Sequence, residues 1–597
     1  MHVKPLACIL LLLSLCSLQS MEPLSPPSGG VSLLPANLKP LISGYSSNFG
    51  KIQWAPSDHP DFKEALEVET RQRPDNPWDF QWALTLQQPV RKGDVIWVGI
   101  WIRTRQSHTE TGAGLSQLVL EKNSTPYDKL LCLELSAGSE WQPCAGAFTA
   151  PRDYAAGEYQ LCIRFGYNPQ TIQIGGLQIL NYQNRVSRAS LQRTAIRYAG
   201  MEPDALWRKA AAERIERFRK SDLQIKVTNA SGKPVSGATV EVHQLRHSFG
   251  FGSCVVANLI TASGPDPDRY REVIEKSYSK VVIENDLKWP PWEEWGEGHR
   301  TKTLEALHWL QEKHIPVRGH NLVWPSWHNT PKNLQSLKGQ PDSLRQRIDI
   351  HIRDIVDATR GLLSDWDVIN EPFDNHDVMD ILGQDVMTGW FKLARECNPT
   401  PVLFLNDYAG FMSAGENTAH KDHFEKTLRF LINSGAPIGG LGIQAHFGSQ
   451  LTPPEKLLTE LDRWAALGLD IQITEFDINL EDEELQAQYT RDFMTAVFSH
   501  PKVSALLTWG FWENSHWLPK AALYRKDWSL KPNGKAWNDL VLHEWHSDAT
   551  LQTNPDGAAA LRGFRGDYEI TVRSGNRNKK VHATLDAKDL ILSVVLD

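Results

Sequence analysis

The sequence predicts an α/β fold, a (β/α)8 TIM barrel flanked by two smaller β modules. Between residues 247 and 545, a short apolar strand, a polar loop and an amphipathic helix follow one another eight times. This is the number and length of units that a closed parallel barrel requires. The alternative for such a repeat is a doubly wound open sheet. No glycine-rich phosphate fingerprint follows any of the strands, and this disfavours the open sheet.

The barrel strands are predicted from short runs of apolar residues that end in polar ones. Helical stretches such as RTKTLEALHWLQEKH separate them. The eight predicted strands are HSFGFGSCV, KVVIEND, PVRGHNLVW, DWDVINEPF, PVLFLNDYA, GLGIQAHF, DIQITEFDI and VSALLTWGF.

The chain before the barrel divides into four segments. Residues 1–20 are typical of a signal peptide, because a weakly basic start precedes an apolar run too short to span a membrane. We therefore expect a secreted or periplasmic protein. Cys16 suggests a lipoprotein, but Leu15 stands where a small residue is expected, so lipid anchoring ranks second. The remaining three segments are a Pro-, Ser- and Gly-rich linker (21–40), a β jelly-roll module (41–190), and a helix with accessory strands (200–246).

After the barrel, residues 546–597 return to β patterning. We expect these strands to pack with residues 222–246 in a small β sandwich.

Composition excludes several classes of partner. The net charge is -8 and the sequence has no basic stripe, so a nucleic-acid partner is not expected. No later segment is apolar enough to span a membrane, and no Cys/His spacing resembles a zinc site. Three cysteines lie in the N-terminal region, where a disulfide is an open alternative after export. We expect a monomer without cofactor or metal.

The predicted barrel strands end in an unusual concentration of polar and aromatic residues. A single polar residue there is often a helix cap, but a ring of them costs stability unless it serves a site. Catalytic groups of TIM barrels lie at these strand ends. The residues are Glu284, Asn285, Asp286, Lys288 and Trp289 after strand two, His320, Asn321 and Trp324 after strand three, Asn370 and Glu371 after strand four, Asn406, Asp407 and Tyr408 after strand five, Gln444 and His446 after strand six, Glu475 and Asp477 after strand seven, and Trp509 and Trp517 after strand eight.

Two of these carboxyls suit hydrolysis of a glycosidic bond. That reaction needs one carboxyl to protonate the leaving oxygen and a second to attack the anomeric carbon or to activate water. Glu371 and Glu475 lie on strands four and seven, and we expect the separation of about 5–5.5 Å that retention of configuration requires. Asn370 is placed to bind a sugar 2-hydroxyl. His446, held by Asp477, is placed to orient Glu475 and keep it ionised.

Seven sequence strings together resemble the glycoside hydrolase family 10 xylanases. In order they are ENDLKW, VRGHNLVW, WDVINEP, NDY, IQAHF, ITEFDIN and LTWGFWENSHW, across roughly residues 205–545. The resemblance implies an endo-1,4-β-xylanase with Glu371 as acid/base and Glu475 as nucleophile. It also implies supporting and substrate-binding roles for further residues, namely Glu284, Asn285, Lys288, His320 and Trp324 on the glycone side, Tyr408 on the aglycone side, Gln444 and His446 beside Glu475, and Trp509 and Trp517 around the −1 sugar.

The chain departs from the family pattern in places. Pro325 follows Trp324 where many members have His, and the loop after Glu371 reads PFDNHD. The module at residues 41–190 resembles the jelly-roll carbohydrate-binding modules that often precede such barrels. Two alternatives to a xylanase stay open at this point: another retaining β-1,4-glycanase, and a glycan-binding protein without activity.

Overall fold

The structure is a computed structural model that describes residues 23–41, 45–74, 76–107, 114–194, 196–411 and 418–596. The predicted signal peptide, including Cys16, lies outside these residues. The chain divides into two compact units, an N-terminal unit of residues 1–195 and a barrel unit of residues 196–597. Within the described residues, no helix has the length and apolar character needed to cross a bilayer.

The N-terminal unit is a sandwich of two antiparallel sheets. Within its described residues, one sheet runs β2-β3-β4-β11-β6-β9, with β1 paired to β11, and the other runs β5-β10-β7-β8. Alternate residues such as Val98 and Ile100 of β6 face the core between the sheets. The strands are β1 (Val31–Ser32), β2 (Tyr45–Ser47), β3 (Gly50–Pro56), β4 (Glu64–Thr70), β5 (Gln81–Thr85), β6 (Val95–Ser107), β7 (Gly114–Lys122), β8 (Lys129–Ala137), β9 (Gln142–Thr149), β10 (Tyr159–Arg164) and β11 (Gln170–Asn181).

The segment predicted as a linker belongs to this sandwich over its described part. Val31 pairs with Asn181 of β11, and Leu33 is buried in the core. The Tyr182 hydroxyl donates a 2.6 Å hydrogen bond to the Pro27 carbonyl. The linker prediction is therefore wrong from residue 23 onward, because Pro and Gly here shape an extended segment that packs on the sheet edge.

The five cysteines in the described part of the chain form no disulfide bond, although a bridge in the N-terminal region was one open alternative. They are Cys132, Cys144, Cys162, Cys254 and Cys397.

The barrel unit begins with helix α1 (Leu206–Arg219) and strands β12 (Lys220–Asn229) and β13 (Thr239–His247). Eight parallel strands then close into a barrel, which confirms the predicted fold class. Nearly every residue of these strands is buried, as expected for a parallel sheet covered on both faces. The barrel strands are β14 (Gly250–Val255), β15 (Lys280–Ile283), β16 (Val317–Gly319), β17 (Asp365–Asn370), β18 (Val402–Asp407), β19 (Gly440–Phe447), β20 (Asp470–Ile478) and β21 (Val503–Thr508).

Helices connect successive barrel strands and pack their apolar stripes on the outside of the barrel. In α10, for example, Leu457, Leu461 and Trp464 are buried at helical spacing. The described helices are α2 (Ala257–Thr261), α3 (Pro265–Ser277), α4 (Trp289–Glu294), α5 (Glu297–Glu312), α6 (Pro341–Ala358), α7 (Asp377–Leu382), α8 (Val386–Cys397), α9 (Thr418–Asn433), α10 (Pro454–Ala465), α11 (Glu483–Ser499) and α12 (Pro532–Asn538).

A buried polar pair lies inside the barrel. The guanidinium of Arg318 on β16 forms a two-point ion pair with Asp367 on β17. Arg318 also donates to Gln472 of β20 at 2.8 Å. Burial alone would raise the pKa of Asp367, but the charge of Arg318 and the hydrogen bond with His320 lower it. This pair fills the barrel interior and, through Asp367, supports His320 at the mouth.

Strands from both sides of the barrel build a second, smaller sandwich. The strands that follow the barrel are β22 (Asp548–Gln552), β23 (Ala558–Phe564), β24 (Gly566–Ser574), β25 (Arg577–Leu585) and β26 (Leu590–Leu596). One sheet runs β23-β12-β26 and the other β22-β13-β24-β25. Ile225, Val240, Ile570 and Val594 lie in the shared core. The accessory sandwich is therefore built from the two chain segments that the sequence analysis assigned to it.

Candidate active site

The barrel mouth brings the two glutamates of interest onto facing strands. Glu371 follows the last residue of β17, and Glu475 lies within β20. The Glu475 side chain is buried and that of Glu371 is partly buried, and the charge of Glu475 acts on Glu371. Gln444 pairs with Glu475 in the register of β19 and β20 and donates a 2.6 Å hydrogen bond to Glu371 Oε1. The Gln444 amide thus reaches from β19, the neighbour of the Glu475 strand, to the carboxyl of Glu371.

Glu371 has a fixed backbone and an unusual proton affinity. Its φ is 51°, in the left-handed region that non-glycine residues rarely adopt. The Asn406 carbonyl accepts from its N–H at 2.9 Å, and Asn375 Nδ2 donates to its carbonyl oxygen at 3.1 Å. Burial, and then the negative charge of Glu475, raise the pKa of Glu371 to about 7. The side chain is therefore able to carry a proton near neutral pH.

Glu475 is held in the opposite state. Asn406 Nδ2 donates to Glu475 Oε1 at 2.9 Å, and His446 Nε2 lies 3.2 Å from Oε2. Burial would raise the pKa of Glu475, but the hydrogen bond from His446, the charge of His320 and the bond from Asn406 lower it below its usual value. Glu475 is an anion in the range where Glu371 is still protonated.

Asp477 sets the charge of His446. The two residues are register partners on β19 and β20, and His446 Nδ1 lies 3.0 Å from Asp477 Oδ2. Burial disfavours the imidazolium, but Asp477 and Glu475 outweigh it and raise the pKa of His446 to about 10. His446 is therefore a charged donor to Glu475 at neutral pH.

Asn370 presents a buried amide to the mouth. Its Oδ1 accepts from Asn406 at 2.9 Å, while its Nδ2 has no hydrogen-bond partner within the described residues. Buried donors are normally satisfied, so a lone one beside two carboxyls needs an acceptor from elsewhere. A ligand that presents a hydroxyl oxygen at this point would satisfy it.

Comparison with known proteins identifies the barrel. Residues 242–539 match the family model described as glycosyl hydrolase family 10. The barrel of this chain belongs to glycosyl hydrolase family 10.

Several curated relatives of the family 10 domain are similar in sequence. Anti-sigma-I factor RsgI6 of Acetivibrio thermocellus is 30% identical over 62% of this chain and 47% of its own length. Endo-1,4-beta-xylanase 1 of Arabidopsis thaliana is 29% identical over 61% of this chain and 38% of its own length. The chain thus spans half or less of these two relatives. Among solved structures, native xylanase 10B from Thermotoga maritima is 24% identical with a TM-score of 0.45, over 50% of this chain and 96% of that chain.

On one side of the carboxyl pair, the family 10 domain gathers the residues that the resemblance places on the glycone side. Lys288 Nζ donates to Asn285 Oδ1 at 2.8 Å and lies 5.4 Å from the Trp324 ring centre and 5.9 Å from that of Trp509. The His320 ring packs 5.2 Å from Trp509. Burial raises the pKa of Glu284. Lys288 thus lies within reach of the Asn285 amide and of two indole rings.

The other predicted residues lie at the rim. Tyr408 packs edge-on against His420 with ring centres 4.2 Å apart, and His420 Nε2 lies 2.7 Å from Asp407 Oδ1. Trp517 is 52% exposed and donates from Nε1 to Asp477 at 2.8 Å. An exposed indole with its N–H tied down offers a fixed face for stacking.

Two residues that contact the carboxyl pair were given no role in the sequence analysis, although Asn406 was among its strand-end residues. Asn406 joins Asn370 and Glu475 through one amide nitrogen, and its Oδ1 accepts from Thr474 at 2.8 Å. Asn375 holds the backbone after Glu371. Asn406 had a sequence signal, its position at the end of strand five. Asn375 lies in the PFDNHD loop, whose path the sequence did not indicate.

Proposed function

We propose that this chain is a secreted, retaining endo-1,4-β-xylanase. The observation that carries the proposal is the pair of glutamates at the barrel mouth whose pKa values are shifted in opposite directions. The pKa of Glu371 is raised to about 7 and that of Glu475 is lowered. Near neutral pH one carboxyl is an acid while the other is an anion, which is the division of labour that glycoside hydrolysis needs.

The reaction proceeds in two displacements. Glu371 donates its proton to the glycosidic oxygen while Glu475 attacks the anomeric carbon, and the leaving sugar departs from a covalent glycosyl-enzyme. Glu371, now ionised, takes a proton from water, whose oxygen attacks the same carbon and releases Glu475. The imidazolium of His446 and the neutral amide of Asn406 hold Glu475 in position in both steps.

Xylan is the substrate that the site and its relatives favour. Several similar proteins are endo-1,4-beta-xylanases by name. In the family that the sequence resembles, a bulky Trp crowds the space of a hydroxymethyl group. Trp509 packs against His320 with ring centres 5.2 Å apart, and Trp517 packs against His446 at 5.0 Å. Crowding of that kind favours xylose over glucose.

The direct test is hydrolysis of arabinoxylan by the mature chain beside Glu371→Ala and Glu475→Ala. We expect short xylo-oligosaccharides from the wild type alone. Azide should rescue Glu475→Ala to a glycosyl azide of inverted configuration and Glu371→Ala to one of retained configuration. Asp407→Asn is the matched control, since Asp407 is a buried strand-end carboxylate paired with His420, and it should keep substantial activity.

Other outcomes separate the alternatives. Turnover of mixed-linkage glucan in clear preference to xylan would keep the two-carboxyl mechanism and change the substrate. Binding of β-1,4-glycans by a wild type that hydrolyses none of them would overturn the enzyme proposal.

Export and glycan binding by the N-terminal unit are parts of the same proposal. Mass spectrometry of the extracellular or periplasmic protein should find a mature N-terminus near residue 20, and retention of the chain on insoluble xylan should fall when residues 1–195 are removed.

A further inference from the structure

The accessory sandwich carries a cluster of three metal-ligating side chains outside the catalytic site. His243 Nδ1 lies 2.6 Å from Asp548 Oδ1, and His546 Nε2 lies 3.5 Å from the same oxygen. One ligand atom from each residue lies within 4.8 Å of the other two. Donors at this spacing are able to share one small cation.

The backbone fixes each of these residues. His243 of β13 and Asp548 of β22 are direct partners in the antiparallel register. His546 lies between two anchored neighbours in the sequence. The Trp545 ring packs in the core 5.5 Å from that of Phe251, and the buried Ser547 hydroxyl accepts a 2.8 Å hydrogen bond from the Phe564 N–H. The ligands thus stand on paired strands and a packed corner, so little order has to be gained on binding.

The donor set selects the class of metal. Two imidazoles and one carboxylate suit Zn²⁺ and the related first-row ions, whereas Ca²⁺ and Mg²⁺ prefer all-oxygen sites. Glu569 on β24 is the register partner of His243, and its carboxylate forms an ion pair with Lys580 at 2.8 Å.

We propose that His243, His546 and Asp548 form a zinc-class metal site with three protein ligands and a fourth position for water. His243 lies on the strand that leads into the barrel, and His546 and Asp548 lie where the chain leaves it. A bound ion would therefore clamp the entry and exit of the barrel together. Its expected effect is on the stability of the barrel unit, with no role in the chemistry at Glu371 and Glu475.

The test uses the tag-free full chain, stripped with EDTA and dialysed. Titration with ZnCl2 in a calorimeter should give one ion per chain, and CoCl2 should produce the visible absorption of a four- or five-coordinate Co²⁺ ion. Thermal unfolding should shift upward by a few degrees in excess Zn²⁺. His243→Ala and Asp548→Asn should lose all three responses while hydrolysing xylo-oligosaccharides at the wild-type rate.

His582→Ala is the matched control, because His582 is an exposed histidine on β25 of the same sheet, and it should behave as wild type. Failure of the wild type to bind Zn²⁺ or Co²⁺ below millimolar concentration would overturn the proposal, as would undiminished binding by both His243→Ala and Asp548→Asn. The Co²⁺ spectrum of the wild type decides the matter even if a variant does not fold.

Discussion

At the scale of single residues, the site works by placing two chemically identical side chains in different surroundings. Glu371 accepts amide hydrogen bonds from Gln444 at Oε1 and, at 3.4 Å, from Asn375 at Oε2, while burial and the negative charge of Glu475 raise its pKa. Glu475 is contacted by an amide and by an imidazolium that Asp477 keeps charged. Burial opposes ionisation of both carboxyls, so the difference in their proton affinity comes from their hydrogen-bonding and charged partners.

The first prediction concerns pH. The value of kcat/KM for an aryl xylobioside should rise as pH passes the lowered pKa of Glu475, because the nucleophile must be ionised. It should fall again above about pH 7, because Glu371 must be protonated. Steady-state rates between pH 3 and pH 9 measure both limbs.

The variant Glu475→Gln isolates the cause of the upper limb. Removing its charge should lower the pKa of Glu371, as read from ¹³C NMR titration of labelled glutamate carboxyls. Glu305→Gln, which changes an exposed carboxylate on α5, is the control and should leave the titration unmoved. An unchanged Glu371 titration in Glu475→Gln would show that burial alone sets this pKa.

The second prediction concerns Asn406. In Asn406→Ala both Glu475 and Asn370 lose a buried partner. We expect kcat to fall about 10- to 100-fold, since an unmet buried hydrogen bond costs roughly 1–3 kcal/mol. The acidic limb of the pH profile should also shift to higher pH, because the pKa of Glu475 rises when its carboxylate loses a hydrogen-bond donor. Thr474→Val removes only the contact to Asn406 Oδ1 and should cost less. A higher KM with an unchanged kcat and an unchanged acidic limb of the pH profile would contradict this role.

At the scale of elements, the barrel strands are held in register by polar contacts as well as by apolar packing. Arg318 ties β16 to β17 and β20 at once. Removing one member of a buried ion pair leaves the other charge without compensation, which costs more than replacing both.

The third prediction follows from this pair. Arg318→Met should lower the free energy of unfolding by about 3–5 kcal/mol, because Asp367 stays buried without its counter-ion. The double variant Arg318→Met/Asp367→Leu should recover part of that loss. Denaturant unfolding measures both. Equal stability of the single variant and the wild type would show that Asp367 is satisfied by His320 alone.

The barrel strands could be predicted from the sequence, whereas the short strand β1 at the edge of the N-terminal sandwich could not. All eight predicted barrel strands coincide with observed ones, because apolar runs that end in polar residues have one clear meaning in a parallel barrel. The segment around Val31 was misinterpreted, because a two-residue edge strand has almost no signal of its own. Sheet pairing at long range supplies the information that such a segment lacks.

The site shows the same division. Motifs at strand ends named residues that contact one another in the structure, such as Gln444 with Glu371 and His446 with Glu475, because every strand of the barrel points the same way. The PFDNHD loop containing Asn375 gave no such guide, since no periodicity constrains a loop. His243 and His546 also escaped prediction, because about three hundred residues separate them and only cross-strand pairing brings them together.

At the scale of the whole molecule, the barrel is built from one continuous stretch of chain, whereas the accessory sandwich is built from two stretches that are far apart in sequence. β12 and β13 precede the barrel, and their sheet partners follow it. The N-terminal unit, by contrast, has its own core from residues before 195.

The fourth prediction compares two truncations. A chain of residues 196–597 should fold and hydrolyse soluble xylo-oligosaccharides at close to the full-length rate. A chain of residues 1–545 should be insoluble or melt at much lower temperature, because β12 and β13 lose every strand partner and the core around Ile225 opens. Circular dichroism melting and activity assays on both chains decide this. A soluble, fully active 1–545 chain would show that the accessory sandwich is dispensable.

The parallel pairing of β12 with β26 also orders events during synthesis. β12 leaves the ribosome early, yet its partner from Leu590 to Leu596 is made more than three hundred and fifty residues later. At a translation rate of about 5–20 residues per second, this edge of β12 stays unpaired for tens of seconds before β26 is synthesised. A nascent chain must keep that edge from pairing with other chains for the whole interval, so this is the point at which we expect a chaperone to be needed and at which a stalled ribosome would release an aggregation-prone product.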